Sequence, residues 1–292
     1  MEQIYSNSRI GHEYQLVYLN TERLIGVQSI DSTNNFGTSP FTYVGIGNVG
    51  TKGMVRSEQS ASINISTFLI NKDYFWTSTT GSSLSNLYIF RDNKDFSTCY
   101  SALSGYFTNF SCKYSVGNVP EISTTMNAIR NAGTIALSEL STDASAQFTT
   151  ISLSSPDITG NLAIPFGNSI SLGISDFLTN RVQSFTINAT SNKNPVYNVG
   201  SKFPARIEHE STQITLDVSF VVADYIAQRL RSTGIYGVNR TLNLIAGDYS
   251  NTGNIVATYS IPDLTLSNES YSNQVNGDVI INQSYFKKIF PS

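Results

Sequence analysis

The chain has 292 residues, a formal net charge of −3 and a pI near 5.4. Ser, Thr and Asn make up about a third of it, while Asp, Glu, Lys and Arg together make up only 13%. This composition argues against long helices, which draw on Ala, Leu, Glu and Lys, and the absence of clustered cations argues against tight nucleic-acid binding.

The first half of the chain reads as short strands bounded by turn residues. The predicted strands are, in order, Gln15 to Leu19, Leu24 to Ile30, Ser62 to Ile70, Leu87 to Phe90 and Tyr106 to Val116. Asn71 to Ser78 predicts a short helix, and Met126 to Asn131 predicts a single helical turn. Spacing and turn residues together favour a β-sandwich or barrel.

The second half repeats this organisation and adds the clearest helix signal of the chain. Its predicted strands are Ser169 to Ile174, Val182 to Ala189, Gln213 to Val222, Thr241 to Ala246, Ile255 to Ile261 and Val279 to Asn282. Ala223 to Arg231 has helical spacing of its apolar residues, and Gly234 follows as a stop signal.

A long internal repeat joins the two halves. The segment Val27 to Gly45 aligns without a gap on Val182 to Gly200, 155 residues later, and both begin with Val-Gln-Ser. Ile63 to Tyr74 aligns on Ile214 to Tyr225 at an offset of 151, in the same chain order. Several matches in one order predict a tandem duplication, which is common among proteins that build rings.

The duplication predicts two β domains, one at residues 1–150 and the other at residues 151–292, each with a short flanking helix. Ser138 to Thr159 is polar, poor in charge and contains one proline, so it is the predicted boundary. The first residues lack the basic and apolar segments of a signal peptide, and no apolar run approaches 18 residues.

Residues that carry catalysis are scarce, and we expect no enzyme, no cofactor and no metal site. The histidines are His12 and His209, and we interpret the latter as part of a charged, solvated loop. Cys99 and Cys112 are interpreted as small buried residues, since two thiols make neither a disulfide framework nor a four-ligand zinc site. The glycines between Gly45 and Gly50 lack the strand-turn-helix context of a phosphate loop.

Three segments resemble the tail tube proteins of long-tailed bacteriophages. The first has the strand that starts at Val182, a loop with Pro195, Tyr197 and Gly200, and a strand from Gln213 to Phe220. The other two segments are Gly105 to Pro120 and Ile164 to Ile170.

The resemblance implies a structural virion protein. Tail tube proteins are β-sandwich or barrel domains with a flanking helix, and they form six-domain rings that stack into a hollow tube for DNA ejection. Some carry two tube domains in one chain, so that three chains make a pseudo-hexameric ring. The implied partners are other copies of the chain, the tape measure, terminator and distal tail proteins, and genomic DNA that passes through the lumen without specific binding.

The resemblance also implies contacts between subunits at two long predicted loops, Phe36 to Ser60 and Ser191 to Ser211. Each is longer than an ordinary connection and carries the same Pro and Val-Gly. The candidate contact residues are Pro40, Tyr43, Gly45, Lys52 and Arg56 in the first loop and Pro195, Tyr197, Gly200, Lys202 and Arg206 in the second.

Two alternatives stay open. Polar β domains with many tyrosines, of which this chain has 16, also occur in phage receptor-binding and fibre modules or tail adaptors. A tail-like tube of a bacterial secretion or killing machine has the same sequence properties. The interpretation as a tail tube protein places the chain in the virion, after synthesis in the host cytoplasm. It predicts a neutral to acidic surface toward DNA.

Overall fold

A computed structural model describes residues 16–45, 48–90, 98–136, 162–174, 177–179, 181–199, 204–222, 240–250, 253–272 and 279–290. In these ranges the chain is mainly β, as predicted, and its fourteen strands belong to one antiparallel network. The sheet continues from the first half of the chain into the second, because β6 of the first half pairs with β10 of the second.

The first half contributes seven strands and the one α-helix of the described residues, in the position predicted for a short helix. These elements are β1 Leu16–Leu19, β2 Glu22–Arg23, β3 Val27–Gly45, β4 Asn48–Phe68, α1 Trp76–Thr80, β5 Ser85–Phe90, β6 Thr98–Ser115 and β7 Glu121–Ala136.

The second half contributes the other seven strands of the described residues, preceded by a 3-10 turn at Gly167–Ser169. They are β8 Ile170–Ile174, β9 Phe177–Thr179, β10 Val182–Val196, β11 Arg206–Val222, β12 Arg240–Gly247, β13 Ile255–Ser272 and β14 Val279–Ile289.

The two halves have the same strand pairing. In the first half the order of neighbours is β2-β1-β5-β6-β7-β4-β3. In the second half it is β9-β8-β12-β13-β14-β11-β10, with each strand seven places later in the chain.

The register of these ladders also recurs. Leu19 pairs with Leu87 in the first half, and Ile174 pairs with Leu242 in the second, each 155 residues later. The number of positions between equivalent residues of the two halves is 153 for β4 and β11 and 159 for β6 and β13, because the connecting segments differ in length. The sequence alignment paired Ile63 to Tyr74 with residues 151 positions later. Along β4 the structural equivalents lie 153 positions later, so that alignment is wrong by two residues there.

One backbone hydrogen bond shows this correspondence directly. The Phe68 amide donates to the Gly26 carbonyl at 2.9 Å, and the Val221 amide donates to the Arg181 carbonyl at 3.0 Å. The acceptors are 155 residues apart and the donors 153, as the ladder registers require. Equivalent strands therefore direct their backbone polar groups to equivalent sides.

Irregularities of the backbone recur at the same places. Gln28 forms a bulge in β3 and Gln183 forms one in β10, so the shared Val-Gln-Ser of the sequence repeat is a bulge motif. Ser104 and Asp263 both have positive φ, 53° and 56°, and lie 159 residues apart at the bend of β6 and of β13. A left-handed conformation is costly for a residue with a Cβ, so its recurrence is a specific feature.

Eight strands form a continuous main sheet in the order β3-β4-β7-β6-β10-β11-β14-β13. One side of this main sheet packs against the remaining strands and α1 in a single core. Ile63, Ile187 and Leu216 of the main sheet are fully buried there, as are Leu87 and Leu244 of the covering strands. Each such side chain contributes about 1.5–3 kcal/mol by leaving water.

The prediction of two long loops is wrong. Phe36 to Ser60 forms the outer arms of the β3–β4 hairpin, and Ser191 to Ser211 includes the arms of the β10–β11 hairpin. In the arm of β10 the inward positions are occupied by Ser191 and Lys193, which are buried polar residues. The apolar alternation therefore stops although the backbone ladder continues, which explains the misreading.

The helical turn predicted at Met126 to Asn131 is also wrong, because this segment lies inside β7. Its inward positions hold Thr124, Met126 and Ala128, so the period-2 pattern is weak. The predicted helix Ala223 to Arg231 and the whole predicted boundary Ser138 to Thr159 lie outside the described residues.

Candidate assembly interface

The two halves join where β10 pairs with the second part of β6. Asn188 lies opposite Ser111, Ile187 opposite Cys112, and the ladder extends from Ser184 to Thr190. On the core side Ile187 and Cys112 are fully buried. This internal junction therefore combines a backbone ladder with apolar burial and is inseparable from folding.

Helix α1 lies over the internal junction. The Trp76 ring meets Phe110 of β6 edge-to-face at 5.3 Å and Tyr259 of β13 at 5.4 Å. Phe75, the residue before α1, is fully buried and packs against Phe107 at 5.5 Å. The helix thus brings aromatic side chains of both halves into contact.

Asp73 ties α1 to the second half through hydrogen bonds. Its Oδ1 accepts from the amides of Phe75 at 2.7 Å and Trp76 at 3.2 Å, while its Oδ2 accepts from the Tyr259 hydroxyl at 2.7 Å. Burial raises the pKa of Asp73 despite these donors. Burial also raises the pKa of Tyr259 well above its ordinary value, so the phenol remains a donor.

Lys193 occupies an inward position of β10 and is 5% exposed. Its Nζ donates to the Ser78 carbonyl in α1 at 3.1 Å. Burial lowers the pKa of this amine to about 8.

His209, predicted to lie in a solvated loop, is a half-buried residue of β11. Its Nε2 contacts the hydroxyls of Ser191 and Thr212, at 3.1 and 2.7 Å.

The contribution of Lys193 to the stability of the fold is expected to increase as the pH rises from about 8 to 10.5. Because Lys193 has a lower pKa folded than unfolded, the unfolded chain binds more protons in this window. Its contribution to the free energy of unfolding rises by at most about 1.4 kcal/mol per pH unit. Urea unfolding at several pH values measures this slope. Lys193→Met should reduce it, whereas Lys113→Met, at an exposed position, should keep it; equal slopes in all three proteins would contradict the assignment.

The other side of the main sheet is open and polar. Alternate residues of all eight strands point to it, and most of the described ones carry hydroxyl or amide groups, with apolar exceptions at Val221, Ile280 and Phe286. Examples from three neighbouring strands are Asn109, Ser111, Thr186, Asn188, Thr190, Gln213, Thr215 and Ser219. Many bond across strands, as where Asn188 Nδ2 donates to Thr215 Oγ1 at 3.3 Å.

Few charges interrupt this open face. Among its described side chains the charged ones are Asp31, Lys113, Glu121, Asp217 and Lys288, and, in the arm of the β10–β11 hairpin, Arg206, Glu208 and Glu210. Five are acidic and three basic, so the face is weakly acidic. Such a face has no cation cluster that would hold a polyanion by neutralising its phosphates.

The main sheet ends in two unlike open edges, β3 and the second part of β13. Neither edge has a further strand partner in the described ranges. In β3 the residues Asp31 to Asn34 are exposed, and in β13 so are Asn268, Ser270 and Ser272. Unpaired backbone groups at sheet edges are ready acceptors of another strand.

The predicted contact residues lie in the hairpin arms, beyond the exposed stretch Asp31 to Asn34 of the β3 edge. Pro40, Tyr43, Gly45, Lys52 and Arg56 lie along the outer backbone of the β3–β4 hairpin.

In the β10–β11 hairpin, Pro195 pairs with Ile207 and Arg206 with Val196, and Arg206 forms an exposed ion pair with Glu208. Tyr197 follows the end of β10, while Gly200 and Lys202 lie outside the described residues. The described members of each set lie within one hairpin.

Sequence reasoning did not select Asp73, Trp76, Lys193 or Tyr259 as functional residues. Two signals pointed toward the first pair: the Asp-Tyr at Asp73 is part of the repeat, and Trp76 is the only tryptophan. No group of three or more His, Cys, Asp or Glu residues in the described part of the chain is placed to hold a metal. Cys99 and Cys112 are both buried, as predicted, and both are free thiols.

No protein-family model matches the chain, and no curated protein matches its sequence. Within the described ranges, no helix has the length and apolar character needed to cross a membrane.

Proposed function

We propose that this chain is a structural subunit that joins copies of itself head to tail into rings, and that the rings stack into the tail tube of a bacteriophage. One observation carries the proposal. The main sheet consists of one four-strand unit used twice, joined through β6 and β10, and the edges left open are the equivalents of those two strands.

A joint between unlike edges has a definite consequence for assembly. Because the second half offers the same edge that the first half uses, each added copy presents a new open edge. Such head-to-tail contacts produce a closed ring when the rotation between units closes, and an open filament when it does not. Closure also removes exposed sheet edges, which are otherwise an aggregation hazard.

The open polar face is the proposed lining of the ring. It spans the eight strands without a break, carries hydroxyl and amide groups, and is weakly acidic. A surface of this kind lets a polyanion pass without holding it, since it offers few cations and some acidic groups. DNA is therefore proposed to move along this face with no specific contact.

The repeated pairing supports two tandem tube domains, and the resemblance to tail tube proteins supports three chains for a six-unit ring. The tape measure, terminator and distal tail proteins are then the partners at the ends of the tube. The arms of the two long hairpins, with Pro40 and Pro195 among their residues, are the proposed contacts between stacked rings.

Electron microscopy of the purified chain tests this function. Negative-stain images should contain rings or tubes with a central channel, and light scattering should give a ring mass that is an integer multiple of 32.0 kDa. Discrete particles of one to three chains without a channel, over a wide range of concentration, would contradict the proposal and favour a receptor-binding or fibre module.

A further inference from the structure

We propose that the ring joint is a strand pair between β3 of one copy and the second part of β13 of the next, with Thr33 directly opposite Ser270. The inference rests on the proposed function in one respect, namely that the occupant of the open edge is a second copy of this chain. It adds which residues meet and in which register.

The internal junction supplies the register. There Asn188 of β10 lies opposite Ser111 of β6. The residue equivalent to Asn188 in β3 is Thr33, 155 positions earlier, and the residue equivalent to Ser111 in β13 is Ser270, 159 positions later. The β6–β7 and β13–β14 ladders agree on the second offset, since the bulges at Thr108 and Ser267 are also 159 apart.

The same offsets place neighbouring residues of the joint. Thr186 opposite Lys113 becomes Asp31 opposite Ser272, and Ile187 opposite Cys112 becomes Ser32 opposite Tyr271. All four residues of the new pairs lie within regular stretches of β3 and β13, beyond the bulges. The joint therefore needs no rearrangement of either strand.

The backbone polar groups of the β3 edge point toward the proposed partner strand. The Gln183 carbonyl accepts from the Val116 amide at 2.8 Å, so Gln183 and every second residue after it direct their polar groups toward β6. Ile187 is one of these residues, and its equivalent is Ser32. The Ser32 amide and carbonyl thus point to the open edge, free of the β3–β4 ladder.

The composition of the two joints differs in a way that suits separate assembly. On the core side the internal junction has Phe110, Cys112, Ile187 and Ala189, all buried. The equivalent positions at the open edges hold Glu269, Tyr271, Ser32 and Asn34.

An edge with these polar residues can stay in water before assembly, because it exposes little apolar surface. Backbone hydrogen bonds then supply most of the specificity of the joint. A carboxylate such as Glu269 at a sheet edge also discourages unselective pairing.

Pairing between two identical edges explains the open edges less well. Two β3 strands, or two β13 strands, would form a twofold dimer and leave the other edges open. Only the unlike pair reproduces a ladder that the chain already makes within itself. The second copy of this chain is therefore the occupant that the fold itself specifies.

Paired cysteine substitutions test the register. The double variant Thr33→Cys with Ser270→Cys is oxidised in the assembled state and examined by non-reducing electrophoresis and peptide mass spectrometry. By equivalence with Asn188 and Ser111 this is a non-hydrogen-bonded pair, whose Cα atoms lie about 4.5 Å apart, within the range of a disulfide. The expected result is a ladder of covalent multimers.

Two matched controls use the same chain. Asn188→Cys with Ser111→Cys should form a disulfide inside one chain, because this pair is present in the internal junction. Asp31→Cys with Ser270→Cys is displaced by two residues and should give no ladder. Cys99 and Cys112 stay in place, since burial raises the pKa of both thiols and suppresses their reaction.

The outcomes separate the joint from the function. Rings or tubes with a Thr33–Ser270 disulfide support both. Assemblies in which the internal control forms its disulfide but Thr33 and Ser270 do not link overturn the joint and leave the proposed function standing. A chain that neither assembles nor cross-links between copies overturns both.

Discussion

Replacing Ser32 with proline is expected to stop the chain from assembling while it remains folded. Proline removes the backbone N–H of Ser32, which points to the open edge and not to β4, and proline is tolerated on edge strands in that position. The ring joint would lose a central ladder bond and meet the proline ring in its place. Light scattering and electron microscopy should find particles of one chain where the unchanged protein gives rings.

The matched control is Ser32→Ala. Both changes remove the Ser32 hydroxyl and its hydrogen bond with Tyr100, but alanine keeps the backbone N–H. Ser32→Ala should therefore assemble, and both variants should unfold at similar urea concentrations. Normal rings from Ser32→Pro, or equal failure of both variants, would show that β3 is not the edge that joins copies.

Replacing Asp73 with alanine is expected to cost about 3–5 kcal/mol of the free energy of unfolding. The change leaves two amides and the Tyr259 hydroxyl without their acceptor inside the protein, and an unsatisfied buried donor costs about 1–3 kcal/mol. Urea unfolding followed by fluorescence is well suited, because the single tryptophan, Trp76, lies at this junction.

Two controls show whether the effect comes from the link between halves. Asp217→Ala removes an exposed carboxylate that accepts from Ser284 at 2.6 Å on the open face, and it should cost under about 1 kcal/mol. Tyr259→Phe should cost about 1–2 kcal/mol. Combined with Asp73→Ala it should add less than its single effect, because the two groups share one bond. Strict additivity, or equal losses at Asp73 and Asp217, would contradict the link.

Sequence patterns located most of the strands, because half-buried strands alternate apolar and polar residues. The predicted strand Leu87 to Phe90, for example, lies within β5, and Ser169 to Ile174 nearly coincides with β8. The pattern fails where the inward positions are small or polar, as with Thr124 in β7 and Ser191 in β10. Backbone pairing continues through such positions, and no side-chain period records it.

The candidate interface was less accessible from sequence than the fold. The contact residues selected from the repeat, such as Pro40 and Pro195, lie in hairpin arms, whereas the open edges carry ordinary polar residues such as Thr33 and Ser270. Nothing in a serine or threonine indicates that its strand ends a sheet. That property depends on which strands are present as neighbours, and these lie tens of positions away in the chain, as β6 and β10 do.

The sequence by itself determined that the chain is β-rich, poor in charged residues and internally repeated, because composition and periodicity are local and the Val-Gln-Ser motif recurs. Only the tertiary structure decided that both halves share one pairing scheme, that β6 meets β10, and that β3 and β13 stay open. Strand pairing joins backbone groups that are the same in every residue, so the choice of partner is made by the packing of the whole core and by turn geometry. The register of Thr33 against Ser270 follows from that packing and from no motif.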